Sequence, residues 1–313
     1  MANVLGDTLI RRLRKEKGMT QAQLCEGICT KGTLSNIENG KRPPNRWVFK
    51  QLMERLGENS SRYFMDVVTL DDRSLAETKD RLRGLLRKNS SESNEAAYAL
   101  MGELDRDKNF STKENRQFLL RSKASLAFNL KKHEDARAYV LEALRVTRPN
   151  FDEGKIGTYA LSLDEVFLTN QLAVVYFLEG CIEKSTDVFL AVKEAVDGNY
   201  IESDEMIGIY SDLLYNLSKN FGLLGKNQDC IDICDIGMQW CQNHRRFFQY
   251  PRFLYNKAYL LIYLGRKEEG IKLLEKAFAL FWGFGRYAEL SFIQNSIQEK
   301  FGIKIDNLAM TSL

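Results

Sequence analysis

The chain has 313 residues, 44% hydrophobic and 28% charged, the composition of a folded chain long enough for two domains of about 100 to 200 residues each. Only four prolines occur, Pro43, Pro44, Pro149 and Pro251; a loop-rich sandwich is excluded, long stretches can stay helical, and the chain reads as all-α. The net charge of +3 says little, but residues 1–66 hold 12 Lys and Arg against 7 Asp and Glu, while the remainder holds 33 against 35. A small basic domain precedes a larger near-neutral one, and a polyanion is the expected partner of the first alone.

The N-terminal stretch MANVLGDTLIRRLRK has no apolar signal-peptide core. The longest hydrophobic-leaning uncharged run, Val166–Leu178, is 13 residues with Thr169, Asn170 and Gln171 inside it, too short and too polar to span a bilayer. Six cysteines, Cys25, Cys29, Cys181, Cys230, Cys234 and Cys241, read as reduced core residues of a cytoplasmic protein.

In chain order, Leu9, Ile10 and Leu13 recur at helical spacing until Gly18 stops the run. Thr20 sits where an N-cap belongs, and Leu24, Cys25 and Ile28 give a short second helix its buried stripe. Thr30 caps a third helix with Leu34 and Ile37 inward, ended by Asn39-Gly40 in a left-handed turn. Lys31, Gly32, Thr33, Ser35 and Asn36 are left facing outward, with Lys41 and Arg42 following at the C-terminal end. A short polar helix presented by two others suits the major groove, and the trailing cations suit phosphates.

The string TQAQLCEGICTKGTLSNIENGKRPP, residues 20–44, resembles the Xre/Cro-type helix-turn-helix signature: Thr-Gln opens helix two and Leu-Ser-x-Ile-Glu-x-Gly closes helix three. The expected DNA-contacting set is Thr20, Gln21, Lys31, Thr33, Ser35, Asn36, Lys41 and Arg42. The turn glycine often found in that family is read as absent here, with Ile28-Cys29 in its place. The alternative is a helical bundle whose third helix is merely solvated.

Beyond the basic segment the sequence repeats. With Lys131, Gly180, Gly225 and Gly265 as turn anchors, small residues recur seven before, five after and twelve after each: Ala124, Ala136, Ala143; Ala173, Ser185, with a larger Val192; Ser218, Cys230, Gly237; Ala258, Gly270, Ala277. Each unit reads as two helices joined by a tight turn, the small side chains permitting close approach. The pattern resembles the tetratricopeptide repeat, although anchor spacings of 49, 45 and 40 exceed the usual length of about 34 and demand longer helices or loops. Residues 72–106 should add a helix pair turning at Lys88–Ser91, and Tyr287–Phe301 a closing helix.

Asn170, Asn216 and Asn256 lie nine or ten residues before their anchors, the last two in a recurring Tyr-Asn. Amides in a ladder can pair with the backbone of an extended peptide; the alternative is that they face water or cap helix starts. The whole arrangement resembles the peptide-responsive quorum-sensing regulators of Gram-positive bacteria, the RRNPP group, and its PlcR-type members in particular. That resemblance implies an N-terminal helix-turn-helix over 1–68, a right-handed TPR-like α-solenoid over 69–313, and a homodimer on an inverted-repeat operator. It also implies a short signalling peptide held by Asn170, Asn216, Asn256, Lys219 and Asn220.

Cys230, Cys234, Cys241 and His244 would extend along about 21 Å of one helix at 1.5 Å per residue, whereas zinc gathers its ligands within about 2.3 Å; core packing is the reading, and no metal or cofactor is expected. With only His133 and His244 in the chain and no phosphate-binding glycine loop, an enzyme is not expected. Phe278, Phe281, Trp282, Phe284 and Tyr287 form an aromatic cluster, read as core or as an interface. The leading function is peptide-controlled transcriptional regulation. Its alternatives are a regulator whose repeats serve docking or dimerisation, and an inhibitor docking on a signalling protein.

Overall fold

The computed structural model describes residues 3–60 and 70–304, with side chains over 9–60 and 75–304. Every regular element among the described residues is helical. Four helices, α1 (Asn3–Glu16), α2 (Gln21–Cys25), α3 (Lys31–Glu38) and α4 (Arg46–Arg55), form the head. Ile10, Leu13, Leu24, Cys25, Ile28, Leu34 and Ile37 meet in one core, as their spacing requires, joined by Val48, Leu52, Met53 and Leu56 from and after α4. That fourth helix is not anticipated above, although Val48, Phe49, Leu52 and Met53 carry its period.

The caps fall where the side chains ask for them. Thr20 accepts from the Gln23 amide in a reciprocal capping box, and Thr30 accepts from the Thr33 amide. Gly40 follows Asn39 at φ 71°. The reading of the helix-turn-helix turn needs correction: a glycine is present, because Gly27 stands between α2 and α3 at φ 70°. Ile28 lies just past α2 yet is still buried.

Eleven further helices are described: α5 (Leu70–Lys88), α6 (Ser91–Leu104), α7 (Lys113–Asn129), α8 (His133–Thr147), α9 (Leu163–Leu178), α10 (Ile182–Gly198), α11 (Asp204–Leu223), α12 (Asn227–Asn243), α13 (Tyr250–Tyr263), α14 (Lys267–Gly283) and α15 (Tyr287–Phe301). All four turn anchors have positive φ: Lys131 at 57°, Gly180 at 80°, Gly225 at 68° and Gly265 at 83°. Asn89, in the turn expected between α5 and α6, joins them at 49°. The long spacings arise from helices of up to 20 residues and from a stretch between α8 and α9 that holds a 3-10 turn, Glu153–Thr158.

Small residues are close-approach points. Ser185 Oγ donates to the Ala173 carbonyl at 2.8 Å and Cys230 Sγ to the Ser218 carbonyl at 3.2 Å, linking the minus-seven and plus-five positions of one pair. At Gly270 a Cβ would sit 2.8 Å from the Ala258 carbonyl, and at Gly237 2.4 Å from the Phe253 ring of the next pair. Within pairs α7 packs on α8, α9 on α10, α11 on α12 and α13 on α14.

The chain divides into two compact units, Met1–Ser203 and Asp204–Leu313. The first holds the head together with α5–α10; the second holds α11–α15. The domain boundary expected at 68/69 falls outside the described residues.

Candidate functional site

Two groups of the residues singled out in the sequence stand apart, one in each unit. In the head, α3 presents Lys31, Gly32 and Asn36 exposed, with Thr33 and Ser35 half-buried beside them. Thr33 Oγ1 lies 2.9 Å from Thr30 Oγ1, and the Asn39 side-chain amide donates to the Ser35 carbonyl at 2.8 Å and to Ser35 Oγ at 3.4 Å. Lys41 and Arg42 are exposed just past the helix, as is Thr20 at the start of α2.

The remaining expected contact, Gln21, is half-buried and donates from Nε2 to Glu38 Oε2 at 2.8 Å. Glu38 is 4% exposed and also accepts from Arg14, Nε to Oε1 at 2.6 Å and Nη2 to Oε2 at 2.9 Å. Arg14 donates further to the Met19 carbonyl at 2.9 Å. Burial pushes the Glu38 carboxyl up, but hydrogen bonds from Arg14 and Gln21 bring it below its ordinary value. One carboxylate therefore ties α1, α2 and the last turn of α3 together. Periodicity marks Glu38 only as a polar residue; its link to Arg14 spans 24 positions. Arg11, Arg12, Lys15 and Arg46, outside the set expected from the motif, are exposed as well.

In the second unit, α11, α13 and α15 contribute polar and aromatic side chains. Asn216 and Lys219 on α11 are half-buried, as is Asn256 on α13. Asn256 Nδ2 donates to Ser218 Oγ at 2.8 Å, joining α13 to α11. Burial, then the Arg252 charge, pulls the Lys219 ammonium below its ordinary value. The Arg252 guanidinium lies 5.1 Å from the Tyr215 ring centre and bonds Glu289 Oε2 of α15 at 2.6 Å, while Tyr255 Oη is 3.4 Å from Ser296 Oγ. The second Tyr-Asn thus joins successive first helices: Tyr255 contacts Ser296 on α15 and Asn256 bonds Ser218 on α11.

Asn220, at 0% exposure, is enclosed in the second unit. Asn170 is 7% exposed on α9 of the first unit.

The cysteine group is distributed along α12: Cys230 bonds Ser218, Cys241 Sγ lies 3.7 Å from Ser211 Oγ, and the His244 ring packs 4.1 Å from Trp240. All six cysteines are thiols. The aromatic cluster divides, with Phe278 and Phe281 in the core and Trp282, Phe284 and Tyr287 exposed. No described helix is long and apolar enough to cross a membrane.

The helix-turn-helix family matches residues 10–63 and the tetratricopeptide repeat family residues 251–280. No curated protein sequence matches the chain. Among solved structures it is similar to Bacillus thuringiensis PlcR in its apo form, at 17% identity and TM-score 0.58 over 91% of this chain and 99% of that one. It is similar to the same protein in complex with the peptide PapR7 and DNA, at 18% identity and TM-score 0.54 over 91% and 98%. It is also similar to S. thermophilus ComR in complex with DNA and its signalling peptide ComS, at 17% identity and TM-score 0.52 over 95% and 98%. At these identities the likeness is one of fold, and at that level it bears out the resemblance to the PlcR-type group. Residues 10–63 are a helix-turn-helix domain and residues 251–280 a tetratricopeptide repeat, in a chain with the fold of PlcR and ComR.

Proposed function

We propose that the chain is a DNA-binding transcriptional regulator whose repeats receive a short linear peptide, with residues 1–68 reading DNA and 69–313 sensing and dimerising. The observation that carries the DNA half is the polar face of α3, with Asn36 and Lys31 exposed and Glu38 bonded to α1 and α2, followed by exposed Lys41 and Arg42. A rigid helix with short donors outward and cations at its end matches a major groove flanked by phosphates. Two heads in a homodimer would bind half-sites one helical turn apart or a multiple of it.

Labelled duplexes and anisotropy test this. Asn36→Ala should reduce discrimination among sites by roughly 1 to 3 kcal/mol, whereas Lys41→Ala and Arg42→Ala should weaken all sequences alike and each flatten the salt slope by about 1. Equal losses on selected and random duplex for both classes of variant would falsify the assignment.

The peptide half rests on the half-buried amides and cations of α11 and α13. PlcR and ComR, whose fold this chain shares, were each solved with a peptide and DNA. Asn216 and Lys219 are the leading contacts, with Asn256 beside them; Asn220, enclosed at 0% exposure, and Asn170, in the first unit, are left out of the set. Asn216→Ala should weaken a peptide encoded beside the gene by about ten-fold or more, the equivalent of one hydrogen bond to a buried amide. Calorimetry that finds unchanged affinity in all the Ala variants would leave the repeats as a docking or dimerisation module.

A further inference from the structure

Buried charge fastens the head to the repeats of the first unit. Arg55, the last residue of α4, is 1% exposed and lies between two groups of acceptors. Its Nη1 donates to the carbonyls of Leu24 at 3.2 Å and Glu26 at 2.6 Å, at the end of α2. Its Nη2 donates to the Thr147 carbonyl at the end of α8 and to Glu165 Oε1 in the first turn of α9, both at 3.3 Å. Glu165 is 0% exposed and accepts also from Thr147 Oγ1 at 2.9 Å, Arg148 Nη2 at 3.2 Å and the Ser162 amide at 3.0 Å.

The circuit closes through Glu26. Its carbonyl accepts from Arg55, and its carboxylate lies 4.0 Å from Arg148. Two arginines and two glutamates therefore balance. Beside them the Leu163 amide donates to Glu54 Oε2 at 3.1 Å, and Lys113 donates to the Gly27 carbonyl. Gly27 itself leaves no room: a Cβ there would sit 1.8 Å from the Thr147 carbonyl. The turn before α3 is pressed directly on the end of α8.

We propose that Arg55 is a positioning residue that locks the α2–α3 turn to α9, so that the orientation of the candidate recognition helix follows the repeats. A partial displacement would strand a desolvated guanidinium and carboxylate apart, which is costlier than either the docked or the fully hydrated arrangement. The contact is therefore two-state rather than elastic. For its meaning in regulation the inference rests on the DNA-binding reading above, but its test does not.

Amide exchange of the full chain, read by mass spectrometry without DNA, tests the lock. Glu165→Gln should speed exchange over residues 24–38 at least ten-fold and leave 250–301 unchanged. Thr147→Val removes only a hydroxyl on α8 and should give about a three-fold change at the same head amides. Arg55→Met combined with Glu165→Gln should fall short of the product of the two single effects, because the Arg55–Glu165 bond is lost only once. Unchanged head exchange in Thr147→Val and Glu165→Gln, acceleration spread evenly over the chain, or multiplied effects in the double variant would each overturn the lock. Affinity for a random 30-base-pair duplex at low salt, measured separately, decides whether the head is a DNA reader.

Discussion

Replacing Glu38 by Ala should unseat α3. The carboxylate accepts three bonds of 2.6 to 2.9 Å from Arg14 and Gln21, and its side chain is almost wholly enclosed. Removing one member of a buried ion pair costs about 3 to 5 kcal/mol. Arg14 keeps its bond to Met19, and 12% exposure of its side chain lets water reach it, so about 2 to 4 kcal/mol is expected. At 1.4 kcal/mol per decade that is about a 30- to 700-fold rise in the opening equilibrium of α3. Native-state exchange at the Leu34–Ile37 amides of the full chain reads it directly. Glu38→Gln, which keeps the volume and loses the charge, should fall between wild type and Ala. Exchange within three-fold of wild type in the Ala variant would show that the Arg14–Glu38–Gln21 cluster does not hold α3 and that apolar packing alone seats it.

Glu38 and Glu165 both have their carboxyls held below the ordinary value, against the opposing pull of burial, by the arginines beside them. Their contribution to stability is complete above the unfolded carboxylate value of about 4.3 and lost as pH falls through the lower folded values; an acid titration of head exchange should steepen below that pH, and Glu165→Gln should remove part of the step. In the second unit, Gly237→Ala would drive a methyl into the Phe253 ring and Gly270→Ala into the Ala258 carbonyl and Ile262. Each should cost about 1 to 3 kcal/mol by overpacking, seen as a lower urea midpoint by tryptophan fluorescence; unchanged midpoints would refute the close-approach reading of those offsets.

Much of the architecture was legible because it depends on local spacing. The left-handed anchors at Lys131, Gly180, Gly225 and Gly265, the Thr20 and Thr30 caps and the inward stripe of α2 and α3 each need only a few neighbouring residues, and the fold has them all. The polar outward face of α3 is legible for the same reason. Gly27 escapes the sequence reading because the spacing sets the turn one residue late, at Ile28-Cys29, and α4 escapes it because its period follows a Pro-Pro pair that reads as a stop. The roles of Gln21 and Asn256 were not legible at all: an exposed-looking amide and one that bonds Glu38 or Ser218 have the same sequence, and only the fold supplies the partner.

The link between head and repeats shows where that limit falls. Arg55 reads as a basic residue at a helix C-terminus, a position that favours cations on any surface, and Glu165 as the fourth residue of a Ser-x-x-Glu capping box, which it also is. Neither pattern distinguishes a solvated side chain from a buried one. The 49-residue anchor spacing was the one numerical trace, since residues 148–162 leave the helical path between α8 and α9. That departure delivers Arg148 to Glu165 and puts Asn150 Nδ2 at 3.5 Å from the Glu26 carboxylate. A uniform repeat offers each neighbour the same small-residue face, which suits another repeat and nothing else. The longest spacing therefore marks one place where the repeats meet the head; a second lies past the end of α10, where Asn59 Nδ2 donates to the Glu202 carbonyl at 2.9 Å and Asn199 Nδ2 to the Glu54 carbonyl at 3.4 Å.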